Sequence, residues 1–159
     1  MHSQSLGVKT NQTLVVKFPG HTEGLNTKLE AMKKTIARLP LVYQVTFSGA
    51  VPGEEVATFL SNRRTNDALK QNRLYEMLAC DPDYVDAYGL QVVAGRNFSE
   101  DYGDDVDKLV INETAVRNLG FTSNDEAIGE LVNVECTDAP MQIIGVVKDY
   151  HQQALSKNY

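Results

Sequence analysis

The sequence predicts an α+β fold, with a βαβ-type layer followed by a smaller β-rich part. Three observations lead to this class. An apolar stripe at helical spacing lies between two β-rich runs near the start of the chain. In the second half, short apolar runs alternate with turn residues and capping motifs. The length of 159 residues suits one domain, or two small subdomains that share a core.

The βαβ-type layer begins with a predicted strand at Thr13–Phe18, which a Pro-Gly turn pair ends. Spacings of four and three residues then predict a helix over 24–39, which Pro40 ends. Its apolar stripe consists of Leu25, Leu29, Met32, Ile36 and Leu39. Val42–Ser48 alternates in the manner of a strand, so we predict it to be the second strand of the unit.

Two further strands are predicted at Val56–Arg64 and Asn72–Cys80. The loop 65–71 between them is polar, and no function is assigned to the segment 56–71. The two strands complete the part of the sheet that precedes the middle of the chain.

The central stretch starts with a short helix, for which Asp81 is the predicted N-cap because a proline and an acid follow it. Gly89 ends this helix, since glycine tolerates the left-handed cap position. Leu90–Val93 is an apolar run typical of a buried strand, and Gly95 lets the backbone turn after it. Arg96 then presents a fork of donors that can tie a loop to a carboxylate or to backbone carbonyls.

The second half reads as a strand, two capped helical turns and a hairpin. Asn112 follows a short strand and caps a helix that Gly120 ends. The segment 123–126 is a capping box for one further turn, which ends at Gly129. The hairpin is predicted from two apolar runs, Leu131–Cys136 and Met141–Val147.

Composition argues against several classes of partner. Fifteen basic and twenty-one acidic residues give a net charge of −6, which disfavours nucleic acid and anionic lipid. Arg63 and Arg64 form a pair, not a basic patch. No segment approaches the roughly 20 apolar residues of a spanning helix, and 1–13 lacks the apolar core of a signal peptide. Taken alone, these features predict a cytoplasmic protein.

Two acidic groups invite a metal interpretation. Asp81, Asp83 and Asp86 do not have the spacing of an EF-hand loop, and the glycine that such a loop requires is missing. A capped helix start explains the first two. The segment 100–107 holds five carboxylates and is interpreted as a solvated acidic loop, with weak cation binding as the alternative. No metal or cofactor is predicted.

No catalytic motif is present in the sequence. The candidate hydroxyls do not lie in a Gly-x-Ser-x-Gly elbow, and Gly145–Lys148 lacks the second glycine and the Lys-Ser/Thr of a P-loop. A Ser-His-Asp site assembled in space remains an alternative, which close geometry in a cleft would support. The candidate side chains are His2, His21, His151, Ser48, Ser123 and Thr114.

The two cysteines, Cys80 and Cys136, fit no metal spacing and each falls on a predicted strand. We expect two buried, inert thiols. A disulfide between them is the alternative in an oxidising compartment.

The order of several short motifs resembles the MacB-like periplasmic core domain of FtsX-type ABC transporter permeases. The motifs are Tyr-Gly-Leu, Ala-Gly-Arg-Asn-Phe, Ile-Asn-Glu-Thr-Ala with Leu-Gly, Ala-Ile-Gly, and Ile-Ile-Gly-Val-Val-Lys-Asp-Tyr-His. The resemblance runs from about Gly7 to Leu155. The positions that match the family pattern are given fold roles and no substrate site: Gly89, Gly95, Arg96, Asn112, Gly129 and Gly145.

The resemblance implies a porter-like subdomain at 1–91, an inserted small β-rich subdomain at 92–149 and the start of a return segment at 150–159. It implies an extracytoplasmic domain of a cell-membrane permease that relays ATP-driven motion to export or to a periplasmic partner, without catalysis. The implied partners are a cognate ATPase subunit, a second permease copy, and a periplasmic adaptor or substrate. This reverses the cytoplasmic prediction.

A free-standing periplasmic ligand-binding protein is the alternative from a different class. A deep apolar pocket with convergent polar groups would support it. Chain ends that emerge together on one side would instead support the permease domain, since two membrane tethers require them.

Overall fold

A computed structural model of the chain describes residues 8–18, 25–67, 71–103 and 105–152. Within these ranges it is a mixed helix and sheet structure, as the α+β prediction states. The helices are α1 (Leu25–Ile36), α2 (Tyr84–Ala87), α3 (Glu113–Asn118) and α4 (Asn124–Ala127), with a 3-10 turn at Glu100–Tyr102. The strands are β1 (Phe59–Arg64), β2 (Arg73–Glu76), β3 (Val92–Gly95), β4 (Lys108–Asn112), β5 (Leu131–Val134) and β6 (Met141–Val147).

The strands form one six-stranded sheet in the order β2-β1-β5-β6-β3, with β4 paired to β6 off this path. The β4–β6 pair is parallel and the others are antiparallel. The last five residues of β6 are buried, as is usual for a strand covered on both faces. β1 joins β5 directly, so the sheet crosses the implied subdomain boundary at 91/92.

Two groups of buried side chains make up the core. The sheet cluster consists of Ala94, Leu109, Val116, Phe121, Ala127, Val132, Val134, Ile143 and Val146. The α2 cluster consists of Tyr84, Val85, Tyr88, Leu90 and Val147. Because β6 contributes to both, it is the element that joins them.

The predicted strands of the βαβ-type layer do not form. Residues 13–18 and 42–47 pair with no strand in the described chain, and Ser48 makes only an isolated bridge to Cys80. Leu14 is 87% exposed and Tyr43 is 94% exposed. Alternation specifies a pleated face, but a strand also needs a neighbour for its backbone groups. Among the described residues only the end of the second run has one, where the Phe47 carbonyl accepts from the Asp81 amide and the Gly49 amide donates to the Ala79 carbonyl. The helix between them forms, slightly shorter than predicted, as α1.

The prediction that Asp81 is the N-cap of α2 is wrong. The helix begins at Tyr84, and Asp83 occupies the cap position without a side-chain bond to the helix. The Asp81 carboxylate instead accepts hydrogen bonds from Lys33 Nζ at 2.6 Å and Thr46 Oγ1 at 2.5 Å. A lysine from α1 thus competes successfully with the free backbone donors of α2, because a charged donor is stronger.

Only one of the two hydrogen bonds of the predicted capping box of α4 forms. Ser123 Oγ accepts from the Glu126 amide at 3.2 Å, as predicted. The Glu126 carboxylate accepts from the amide and hydroxyl of Thr122, both at 2.7 Å, instead of returning to the amide of Ser123. The glutamate of the capping box therefore binds the residue before the N-cap, Thr122, and not the N-cap residue Ser123 itself.

The cysteine predictions need correction. β5 ends before Cys136, which is exposed and has a left-handed φ of +68°, so it lies in a turn and not on a strand. Cys80 is partly buried, and burial raises the pKa of its thiol to about 11. Both thiols are free.

Candidate functional site

Two glycines bring β3 and β6 into close contact at the centre of the fold. Gly95 pairs with Gly145 across the two strands. A Cβ on Gly95 would lie 2.2 Å from the carbonyl oxygen of Ile144, and one on Gly145 would lie 2.1 Å from that of Arg96. Gly95 also has a φ of +67°. The backbones therefore approach at a distance that no other residue type permits at either position.

Arg96 fixes the loop that follows this contact. Its guanidinium donates to both carboxylate oxygens of Asp105 at 2.8 Å, and Nη1 also donates to the carbonyl of Asn97. The ring of Tyr102 lies 4.3 Å from the guanidinium carbon, a cation–π distance. Hydrogen bonds from Arg96, aided by the amide of Ser99, lower the pKa of Asp105 to about 2.

The acidic segment 100–107 is therefore not wholly a solvated loop. The Asp105 side chain is only 10% exposed and is held by Arg96, while Asp107 pairs with Lys108 at 3.0 Å. Asp101 is exposed, as the sequence interpretation expects. The difference arises because a bidentate arginine partner offsets the burial of one carboxylate.

The other pattern positions lie at helix ends and turns. Asn112 Oδ1 accepts from the amide of Ala115 at 2.9 Å and caps α3. Gly129 has a φ of +86° and donates its amide to Ile143 of β6 at 2.8 Å. Gly89, with a φ of +63°, follows α2 and lies under the side chain of Lys9. These contacts hold the helices against the sheet.

Asp149 organises a polar cluster that the sequence reading missed. Its carboxylate accepts from the amide and hydroxyl of Thr114 at 2.8 and 2.9 Å, and from Arg117 at 2.9 Å. Asp149 lies more than 30 positions from Thr114 and Arg117, so no local sequence motif predicts their contact. The cluster ties the first turn of α3 to the segment after β6.

Those candidate catalytic and metal residues that the structure describes are not assembled into a site. Lys33 pairs with both Asp81 and Asp83, and Asp86 is exposed. Ser48 donates to the carbonyl of Ala50. Ser123 and Thr114 are engaged in the contacts given above, and His151 is exposed. In the described ranges, no group of three or more His, Cys, Asp or Glu side chains can hold a metal. His2 and His21 lie outside those ranges.

A cavity of about 1270 Å³ lies between the two clusters and opens to solvent. The sheet cluster contributes Leu109 and Val132 to its wall, and the α2 cluster contributes Tyr84, Val85 and Leu90. The partly buried side chains around it are also mainly apolar, among them Leu60, Met77, Leu78, Ile111, Leu119 and Met141.

Two polar side chains of β1 and β2 line this cavity without satisfying their hydrogen-bonding capacity. Asn62 is 5% exposed, and in the described chain no donor reaches its Oδ1. The hydroxyl of Tyr75 is also buried and has no partner there. Burial raises the pKa of Tyr75, although Arg73 partly opposes this. Both polar atoms are enclosed by the surrounding chain and are not presented to the open part of the cavity.

The family described as the MacB-like periplasmic core domain matches residues 3–158 of the chain. No curated protein matches the sequence significantly. In the described residues, no helix has the length and apolar character to cross a bilayer.

Two solved structures share the fold. The periplasmic region of MacB from Actinobacillus actinomycetemcomitans is 20% identical, with a TM-score of 0.54 over 78% of this chain and 52% of that chain. The extracellular domain of the noncanonic ABC-type transporter YknZ from Gram-positive bacteria is 20% identical, with a TM-score of 0.57 over 78% and 59%. The chain thus spans between half and three fifths of the length of these structures.

Proposed function

The chain belongs to the family of MacB-like periplasmic core domains, and from this premise we propose that it is the extracytoplasmic domain of an ABC transporter permease in the cell membrane. The observation that carries the proposal is the family match, which extends over residues 3–158. The proposed domain has no catalytic activity of its own. ATP-driven motion of a cognate ATPase subunit reaches it through transmembrane segments, and it passes that motion to export or to a periplasmic partner.

Two segments far apart in the sequence, one near Val8 and one near Tyr150, lie together in the structure. Val8 and Tyr150 both pack against the α2 cluster. The amide of Lys9 donates to the carbonyl of Tyr88 at 2.8 Å. Gln152 donates to the carbonyl of Val51 at 3.0 Å. The segments that contain Val8 and Tyr150 therefore meet around α2.

Within this proposal, the family-pattern residues have structural roles. The pair of Gly95 and Gly145, the Arg96 loop, and the caps at Gly89, Asn112 and Gly129 stiffen the domain so that motion is passed on and not absorbed. The subdomain division at 1–91, 92–149 and 150–159 belongs to the same proposal. The sheet joins the first two parts through β1 and β5, which favours their moving together.

The intact open reading frame tests the location. A stretch of about 20 apolar residues shortly before the matched region, and others after it, are expected for a domain held between membrane helices. A frame that contains only a secretory leader and this domain would instead leave the free-standing ligand-binding protein.

A distance measurement tests the relay. In the whole permease with its ATPase, a spin label on Cys136 reports the separation of two permease copies once Cys80 and any cysteine outside this chain are replaced by serine. We expect the distance distribution to change on addition of ATP, and to stay fixed when the ATPase cannot hydrolyse it. A distribution that is the same throughout the ATP cycle would contradict the relay.

A further inference from the structure

The described side chains of α1 lie outside both clusters that form the core. None of them belongs to the sheet cluster or the α2 cluster, nor to the partly buried apolar side chains packed against these clusters. The apolar residues Leu29, Met32 and Ile36 of this helix are only half-buried. Since an isolated helix of 12 residues is marginal in water, contacts with the rest of the chain must hold α1 in place.

Lys33 supplies the ion pairs that join α1 to the rest of the described chain. Its Nζ lies 2.6 Å from Asp81 Oδ2 and also pairs with the carboxylate of Asp83. The other described side-chain hydrogen bond of α1 stays within the helix, from Thr35 to the carbonyl of Ala31. The side chains of Lys33 and Asp81 are only 17% and 11% exposed, so water is largely excluded from their ion pair.

The chain that follows α1 rejoins the core at residues 44–49. The carbonyl of Phe47 accepts from the Asp81 amide at 2.9 Å, and the amide of Gly49 donates to the Ala79 carbonyl at 2.8 Å. The connection 37–43 between α1 and this attachment is exposed at every residue except one, and Leu41 within it is 87% exposed. This connection therefore allows α1 to move as a unit without disturbing the core.

The ion pairs of Lys33 can open while the core stays intact. The Asp83 side chain is 47% exposed, so its charge is already partly hydrated when the pair is closed. Opening returns the ammonium group and both carboxylates to water, and this hydration offsets much of the attraction that is lost. Neither cluster loses a contact, because neither includes a described side chain of α1. Local opening of this kind is possible wherever a segment has few buried apolar contacts.

We propose that α1 is a movable arm, which the ion pairs of Lys33 clip to the segment 81–83 and which is released when they open. The arm consists of α1 and the connection 37–43, and its hinge is the attachment at 44–49. Thr46 Oγ1 donates to the second carboxylate oxygen of Asp81 at 2.5 Å, so one side chain joins the clip to the hinge. A displacement of α1 is passed to α2 only while the clip is closed. The device does not depend on the transport role proposed above.

Hydrogen exchange of the backbone amides in the purified chain tests the clip. Lys33→Gln removes the charge, and Lys34→Gln is the matched control, because Lys34 is exposed on the same helix and forms no ion pair with a described residue. We expect the α1 amides to exchange roughly tenfold faster in Lys33→Gln, the equivalent of one hydrogen bond to a charged group. The amides of Ile143 and Val146 in β6 should keep their protection. Lys34→Gln should change neither region.

A second set of variants removes the partners of Lys33. A chain with both Asp81→Asn and Asp83→Asn keeps an acceptor for Thr46 but loses both charges, and its α1 amides should exchange as fast as those of Lys33→Gln. Adding Lys33→Gln to this chain should have no further effect, because the three charges act as one unit.

Two results would overturn the proposal. Equal α1 exchange in Lys33→Gln and Lys34→Gln would show that the apolar side chains of α1 hold it in place without the clip. Loss of protection in β6 together with α1, in Lys33→Gln or in the chain with both aspartates replaced, would show that the ion pairs support the whole fold and not a separate arm.

Discussion

The sheet formed by β3–β6 and the segment 8–58 that precedes β1 differ in what holds their apolar side chains. In the sheet, Ile143 and Val146 are completely buried and each strand has a partner. In the earlier segment, Leu14 and Tyr43 are almost fully exposed and the expected strands are unpaired. Both regions carry strand-like patterns in the sequence. The difference shows that a pattern becomes a strand only where a second strand is supplied.

The largest expected effect comes from the close approach of β3 and β6. Gly95→Val combines a strained positive φ with a side chain forced onto the carbonyl of Ile144. Strain and overpacking each cost about 1–3 kcal/mol, so the variant should lose about 4 kcal/mol of unfolding free energy. Urea denaturation measures this.

Gly103→Ala is the matched control for that substitution. Gly103 has a φ of +86° but nothing within 4 Å of its Cβ position, so strain alone acts and about 1 kcal/mol should be lost. Equal losses in Gly95→Val and Gly103→Ala would contradict the close approach of the two strands.

The next effect contrasts the two regions directly. Ile143→Ala removes a side chain that is completely buried in β6 and should cost about 3 kcal/mol. Leu14→Ala removes one that is 87% exposed and should change stability by no more than about 0.5 kcal/mol. Thermal and urea unfolding of both variants provide the comparison. A large loss in Leu14→Ala would show that the early segment packs after all.

A smaller effect is expected at the start of α3. Asn112→Ala removes the side chain that accepts from the Ala115 amide and should cost about 1 kcal/mol. Asn112→Asp keeps an acceptor and should restore most of the loss, since aspartate is an equally good cap. If aspartate rescues nothing, the cap is not the source of the stabilisation.

The smallest expected effect appears only in acid. The Arg96 hydrogen bonds place the pKa of Asp105 at about 2 in the folded chain, below its ordinary value of 3.8. The resulting stabilisation is complete above about pH 4 and is lost as the pH falls towards about 2. Melting temperatures measured across this range should therefore fall less for Asp105→Asn than for the original chain. Parallel curves would contradict the ion pair.

Local signals in the sequence were sufficient for much of the sheet region. The short strand before Asn112, the cap at Asn112, and the hairpin of β5 and β6 were all predicted from patterns within a few residues or across one turn. Arg96 was expected to tie a loop to a carboxylate or to backbone carbonyls, and its guanidinium donates to Asp105, nine residues away, and to the carbonyl of Asn97. In each of these cases, the residues that interact are close together in the sequence.

Features that depend on contacts between residues far apart in the sequence were not predicted. Asp81 is bound by Lys33, 48 residues away, and not by its own helix. The Asp149 cluster and the unpaired Asn62 likewise depend on elements brought together only in the folded chain. The cavity could not be predicted at all, since it is defined by the space between two clusters and not by any pattern of residues.

The central claim, that this domain lies outside the cytoplasm in a permease, is tested most directly by labelling Cys136. This thiol is exposed, whereas Cys80 is partly buried. Cys80 and any cysteine of the permease outside this chain are replaced by serine in the assay. Cells that produce the whole permease are treated with a membrane-impermeant maleimide before and after lysis. For a domain outside the cytoplasm, labelling of Cys136 is expected to be equal in intact and lysed cells. Labelling that appears only after lysis would contradict it.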